Sequence, residues 1–207
     1  MTESGLIYLL FFLTSARLIL FLKPSAIKTT DTLLLTKVKE VIDSVVWAGV
    51  VALLLIHFVV RSFYIPSGSM LPTLKVNDFI LVNELIYEFT SPVRGDIVVF
   101  HPPPGYTGDK TDLIKRVVGV EGDEIEVKEG ALYVNGVRIQ ENFIKEPMQG
   151  VFKPERVKKA HIFAMGDNRN DSKDSRIIGQ IPLENLVGRA EMVFFPPGRL
   201  RLFNFPR

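Results

Sequence analysis

The sequence predicts a mainly β, antiparallel-sheet extracytoplasmic domain anchored by one or two N-terminal transmembrane helices. Three observations predict it. Ser44 to Val60 is an uncharged apolar run that, with the flanking Val41 and Ile42, can cross the roughly 20-residue thickness of a bilayer core. Beyond Leu74 the chain changes to short runs rich in Val, Ile and Phe, separated by Gly, Pro, Asn and Asp, which is the texture of an all-β domain. Within that part, Asn135-Gly136 stands between two such runs as a local hairpin signal.

Composition limits the function classes. At 207 residues and 47% hydrophobic, the chain has room for one ordinary domain plus membrane segments. A net charge of +2 argues against nucleic acid as a partner. The absence of cysteine excludes disulfides, thiolate metal sites and a cysteine nucleophile, and leaves the compartment undecided.

Gly5 to Leu22 is apolar apart from Arg17 and a few hydroxyls. Residues 1–22 are therefore a candidate first transmembrane helix if Arg17 snorkels to the interface. An interfacial helix fits the same residues, whereas a cleavable signal peptide would start with a basic region, and here Glu3 precedes the run. Residues 23–43 read as a cytoplasmic loop, because Lys23, Lys28, Lys37 and Lys39 place that side inside by the positive-inside rule. Residues 44–61 are then a transmembrane helix and residues 62–207 lie outside. His57, inside the apolar run, reads as a packing or interfacial residue.

In the outer domain, strands are expected over Asp78 to Asn83, Asp96 to Phe100, Asp112 to Val120, Glu124 to Lys128, Ala131 to Val134, Val137 to Gln140 and Arg189 to Phe195. Arg94 to Phe100 reads as a turn entering a buried strand. His101-Pro102-Pro103-Pro104-Gly105 reads as a rigid structural loop.

The chemistry-bearing candidates begin with Pro66-Ser67-Gly68-Ser69-Met70-Leu71-Pro72. The prolines stiffen it and Gly68 lets it bend, so two hydroxyls are presented on a rigid turn. Such a turn is ordinarily plain surface, and a serine nucleophile there needs a base and oxyanion donors from elsewhere. On a strand from Asp112, Leu113, Lys115 and Val117 share one face and Ile114, Arg116 and Val118 the other, so each face is apolar with one cation. A lysine so placed is an edge-strand snorkeller or, if buried, a base with a lowered pKa. The run from Met165 to Arg176 is either a solvated loop of Asx turns or a site element in which Ser172 bonds the base amine and Asp174 and Arg176 hold the loop.

Other catalytic arrangements lack their patterns. There is no Gly-x-Ser-x-Gly elbow for a triad using His101 or His161 and no His-Glu-x-x-His for zinc. Pro72 occupies the third position after Ser69, where a Ser-x-x-Lys motif needs lysine. A serine with a distant lysine is what stands.

The segments Pro66 to Leu74, Arg94 to Phe100, Ile114 to Gly119 and Gly166 to Arg169 through Asp174-Ser175-Arg176 resemble, in order, the sequence boxes of bacterial type I signal peptidases, also called leader peptidases. The resemblance covers about Val41 to Phe195. It implies Ser69 as nucleophile, Lys115 as general base, and the Ser67 hydroxyl with the Ser69 backbone N–H as oxyanion hole. It further implies that Ser172 orients Lys115 and that Asp174 and Arg176 support the site. The related endoplasmic-reticulum enzymes carry histidine where Lys115 stands, so the lysine points to the bacterial branch or its organelle descendants. A short interval before Gly166 implies a reduced insert over about 121–160.

The activity so implied is cleavage of signal peptides from exported preproteins after Ala-x-Ala by a monomeric enzyme of the cytoplasmic membrane, with its catalytic domain on the periplasmic side and no cofactor or metal. An extended substrate paired to a strand edge would direct the side chains one and three before the cut into neighbouring pockets. Candidates to line them are Phe63, Ile65, Pro66, Leu74, Ile80, Val99, Leu113 and Ile114. Two other classes remain. A self-cleaving Ser-Lys repressor would carry a DNA-binding helix-turn-helix at its N-terminus, where this chain has membrane segments. A membrane-anchored β module without chemistry would tolerate alanine at Ser69 and Lys115.

Overall fold

Val60 and Arg61, the last residues of the expected membrane helix, lie instead in strand β1, Val60–Tyr64. The computed structural model of the chain describes residues 36–37, 40–50, 60–103, 106 and 111–203, in two units, Met1–Val59 and Val60–Arg207. In the first unit a helix, α1, runs over 40–50 and starts within the stretch expected to be loop. The candidate span over 5–22 and residues 51–59, with His57, lie outside the described residues. Among the described residues no helix is long and apolar enough to cross a membrane.

The second unit is antiparallel β. Its strands after β1 are β2 (Phe79–Asn83), β3 (Ile97–Phe100), β4 (Leu113–Gly119), β5 (Glu124–Lys128), β6 (Ala131–Val134), β7 (Val137–Arg138), β8 (Phe152–Arg156), β9 (His161–Met165), β10 (Ile181–Pro182), β11 (Leu186–Phe195) and β12 (Arg201–Leu202). Two one-turn helices, α2 (Ile86–Phe89) and α3 (Ser175–Ile178), interrupt them. The larger sheet runs β1-β2-β11-β3-β4-β9-β10, with β12 on β11. The smaller runs β7-β6-β5-β8.

The sequence explains these pairings. The run Ile97-Val98-Val99-Phe100 does not alternate in polarity, and β3 is buried on both faces, as a central strand with a core on either side must be. Ile97 and Val99 join one core with Ile65, Met70, Leu74, Ile80, Val82, Ala190 and Val193. Val98 and Phe100 join the other with Val117, Ile162, Ala164 and Ile181. A third core lies between the small sheet (Ile125, Val127, Leu132, Val134) and Val118, Phe163 and Met165 of the large one. Full burial of rings such as Phe100 and Phe163 stabilises the fold by roughly 1.5–3 kcal/mol each.

The expected hairpin forms at its expected place. Asn135 and Gly136 adopt φ of 52° and 76°, the left-handed pair that a two-residue turn with matching strand twist requires. β7 closes after Arg138, two residues before the predicted end of that strand. The small sheet occupies the 121–160 stretch.

Candidate active site

Ser69 sits in a loop whose neighbours are pinned from both sides. Met70 and Leu74 are fully buried, and the Leu71 and Leu74 N–H groups donate back to the Gly68 and Met70 carbonyls, at 3.1 and 2.8 Å. From the other side Asn168 donates its N–H to the Ser69 carbonyl at 3.0 Å and its side-chain amide to that of Gly68 at 3.1 Å. Apolar burial therefore fixes the loop's inner side and an asparagine clamps its backbone. Ser69 is left partly exposed between them.

β4 brings the lysine in. Leu113 and Val117 on one face pack into the Val98 core, while Ile114 on the other packs into the Ile65 core, as strand parity requires. Lys115 is 3% exposed. Its Nζ lies 3.0 Å from Ser69 Oγ and donates to the Ile114 carbonyl at 2.7 Å. Burial disfavours the charged amine and outweighs the opposing pull of the Asp174 and Asp167 carboxylates, which brings the Lys115 pKa down to about 8. A hydroxyl within hydrogen-bond reach of an amine that loses its proton near neutrality has the geometry of a nucleophile with a general base.

Ser67 Oγ is 3.4 Å from Ser69 Oγ. Among the described residues the Ser69 N–H donates no backbone hydrogen bond.

Asp174 is wholly buried. Its carboxylate receives Nε and Nη2 of Arg176, both at 2.8 Å, and the Gly166 N–H at 3.0 Å, and it caps α3 through the Arg176 N–H. Arg176 also donates to the Arg169 carbonyl at 2.5 Å. These bonds fix the 166–176 loop beside the serine.

Ser172 departs from expectation. Its Oγ is buried but has no hydrogen-bond partner, so the bond expected to the Lys115 amine is not made. The hydroxyl packs instead over Gly166, in the space a side chain there would occupy.

The candidate pocket residues divide by burial. Ile65, Leu74, Ile80 and Val99 are at most 2% exposed and belong to the core behind the serine loop, so they back the wall and present no surface. Phe63, Leu113 and Ile114 are half-buried and Pro66 is exposed, and these four retain surface. β9 pairs with β4 only from Arg116 onward, and among the described residues Leu113 to Lys115 pair with β3 alone. Among the described residues no strand pairs with the other edge of β4 at Leu113 to Lys115.

The two described histidines are engaged elsewhere. His101 Nδ1 meets Asp112 Oδ1 at 2.6 Å on the surface, and His161 Nδ1 meets the Lys159 carbonyl at 2.7 Å.

The family model for signal peptidase, peptidase S26, matches residues 38–195. The chain belongs to the signal peptidase family. It is accordingly a hydrolase of the serine peptidase class. Among similar proteins are a signal peptidase I of Leptolyngbya laminosa, 41% identical over 165 residues, which are 78% of this chain and 81% of that one. A probable signal peptidase I-1 of Synechocystis is 44% identical over 166 residues, 78% of this chain and 85% of its own. Thylakoidal processing peptidase 1 of Arabidopsis thaliana is 41% identical over 144 residues, 66% of this chain and 42% of that protein.

Sequence reasoning assigned no individual role to Gly166, Asp167 or Asn168. A Cβ on Gly166 would lie 2.5 Å from the Ser69 carbonyl oxygen, so only glycine allows the loop this close. Asp167 receives Nε and Nη2 of Arg116 at 2.8 and 2.7 Å, which locks the opposite face of β4. The run Gly-Asp-Asn-Arg carried the signal as a cluster of turn-forming residues, but clustering does not say which atoms meet.

Proposed function

We propose that this signal peptidase is a membrane-bound endopeptidase that cleaves signal peptides from exported preproteins after Ala-x-Ala with a Ser69–Lys115 dyad. The observation that carries the reading is the 3.0 Å separation of Ser69 Oγ and a buried Lys115 Nζ.

Neutral Lys115 takes the hydroxyl proton as Ser69 Oγ attacks the scissile carbonyl carbon. The oxyanion is met by the Ser67 hydroxyl and the Ser69 N–H. Protonated Lys115 then gives its proton to the departing amine, leaving an ester on Ser69, and water hydrolyses that ester by the same proton route. Turned towards the base, the buried Ser172 hydroxyl would accept an N–H of the Lys115 amine and leave its lone pair to the Ser69 proton, and Asp174 with Arg176 holds the loop that carries it. No step requires a metal or cofactor.

The substrate adds as an extended strand along the edge of β4 that no described strand pairs at Leu113 to Lys115. Its alternate side chains then face one way, towards shallow surface offered by Phe63, Pro66, Leu113 and Ile114, where small residues fit. Apolar segments over 5–22 and 44–59 hold the monomeric enzyme in the bilayer, with the outer domain on the far side of a bacterial cytoplasmic membrane or of a thylakoid membrane. Confinement to the surface where preproteins present their cleavage sites raises effective concentration.

The test is cleavage of a preprotein ending in Ala-x-Ala by detergent-solubilised full chain, with the new N-terminus read by mass spectrometry. Wild type is expected to cut after the second alanine, and Ser69→Ala and Lys115→Ala to give no product. A Lys115→Ala enzyme that cuts normally would refute the dyad, and a folded wild type that cuts nothing would favour a binding module.

A further inference from the structure

Phe143 lies in the polar turn after β7, outside the serine loop and outside every segment with a recognisable motif. Its ring nonetheless meets two buried or half-buried cations. The Arg116 guanidinium carbon lies 4.1 Å from the ring centroid and that of Arg169 5.8 Å, both within the range in which a ring quadrupole attracts a cation. Both cations run on into the wall of the active site. Arg169 donates through Nε to the Gly166 carbonyl at 2.9 Å, while Glu141 takes its two Nη groups at 2.6 and 2.7 Å, with both side chains at most 4% exposed. Arg116 grips the Asp167 carboxylate and donates to the Gly95 carbonyl at 2.9 Å.

Gly166 and Asp167 are consecutive, and Asn168 beyond them clamps the Ser69 carbonyl. One ring thus supports two of the guanidiniums that fix the segment packed against the nucleophile. We propose that Phe143 is a positioning residue for the Ser69–Lys115 pair, acting through Arg116 and Arg169 on the 166–168 backbone. The inference rests on the dyad reading of the site.

Its chemistry predicts a particular signature. The carboxylates whose charge reaches Lys115 are Asp174 and Asp167, and their guanidinium partners are Arg176 and Arg116. Without the ring, Arg116 is held less firmly on Asp167. A less compensated Asp167 favours protonated Lys115. Loss of the aromatic face therefore moves the base, not only the amount of folded enzyme.

The experiment measures kcat, KM and the pH dependence of preprotein cleavage for wild type, Phe143→Leu, Phe143→Tyr and Lys115→Ala, each as full chain. Leucine keeps an apolar side chain without a ring face. Tyrosine keeps the face, and its hydroxyl has room because Phe143 borders cavities of about 220 and 180 Å³. Phe143→Leu is expected to lose about ten- to a hundredfold in kcat, the scale of a small misplacement of reacting groups, with KM within about twofold. Its acid limb should move to higher pH, and Phe143→Tyr should restore both. The proposal is overturned if Phe143→Leu keeps the wild-type limb, or if Phe143→Tyr is as impaired as Phe143→Leu. Lys115→Ala separates the two levels: if it cuts like wild type the dyad itself fails, whereas an inactive Lys115→Ala beside an unaltered Phe143→Leu removes only the role of Phe143.

Discussion

The Cα of Gly166 is seated against the Ser69 carbonyl oxygen so closely that a Cβ built on it would stand 2.5 Å from that oxygen and would overlap the Ser172 hydroxyl. The nucleophile's loop and the loop carrying Asp174 touch through this missing side chain. Gly166→Ala forces them apart, because one of the two opposing atoms is backbone. It should cost about 1–3 kcal/mol of stability as overpacking and about a hundredfold in cleavage rate through misplacement of Ser69. Thermal melts and initial rates on the same preparation check both.

Ser67→Ala isolates the oxyanion contribution. The hydroxyl 3.4 Å from Ser69 Oγ is part of no core cluster, so its loss should leave the melting temperature unchanged. Removing one donor to a developing oxyanion typically lowers kcat by about 10²–10³-fold, with KM little altered. Steady-state kinetics on a preprotein substrate separates the two constants.

Asp174→Ala removes the acceptor for Arg176, for the Gly166 N–H and for the cap of α3 at once. Because the carboxylate is wholly buried and the Arg176 side chain 15% exposed, the guanidinium is left without its counter-charge. Breaking such a pair from one side costs about 3–5 kcal/mol. Urea unfolding should show a lower midpoint at unchanged slope, the shift multiplied by the slope giving a loss of that size.

Lys115 should make stability depend on pH in a defined direction. Burial brings its pKa from 10.5 to about 8, so between those values the unfolded chain binds the extra proton and wild-type stability rises with pH. Lys115→Met keeps the methylenes and discards the charge. Below pH 8 the variant should be the more stable by roughly 3 kcal/mol, the worth of a shift of this size, and the advantage should vanish as pH approaches 10.5. Paired denaturation curves at pH 6.5 and pH 10.5 test the sign.

Much of the outer domain was legible because its strands carry a pattern that burial enforces. Ile97 to Phe100 are apolar throughout since both faces of β3 are covered, and Asn135-Gly136 turns where its backbone must adopt positive φ. β8 was not legible: Lys153, Pro154, Glu155 and Arg156 are exposed, and an edge strand with charges and a proline has no alternation to read. β1 was hidden because Val60 ends an apolar run, and hydropathy alone does not mark where a helix becomes a strand. At the site, residue types alone left a plain turn at Ser69, a snorkelling Lys115 and a solvated loop at Asp174 and Arg176 equally readable, and it was the ordered resemblance of whole segments that singled these residues out. The pocket residues were not separable in sequence, since Val99 in the core and Ile114 at the surface of the site are the same kind of side chain. Ser172 was expected on the Lys115 amine, but a hydroxyl's hydrogen-bond partner is set by ångström-scale packing over Gly166 that no sequence pattern encodes.

The central claim is that Lys115 acts as a neutral base on Ser69, and the pH dependence of kcat/KM tests it most directly. Neutral amine increases as pH rises through the Lys115 pKa, so the logarithm of the rate should climb with a slope of one below a midpoint near 8 and level off above it. A rate that is flat from about pH 6 to pH 10, or that falls as pH rises through 8, would contradict the account.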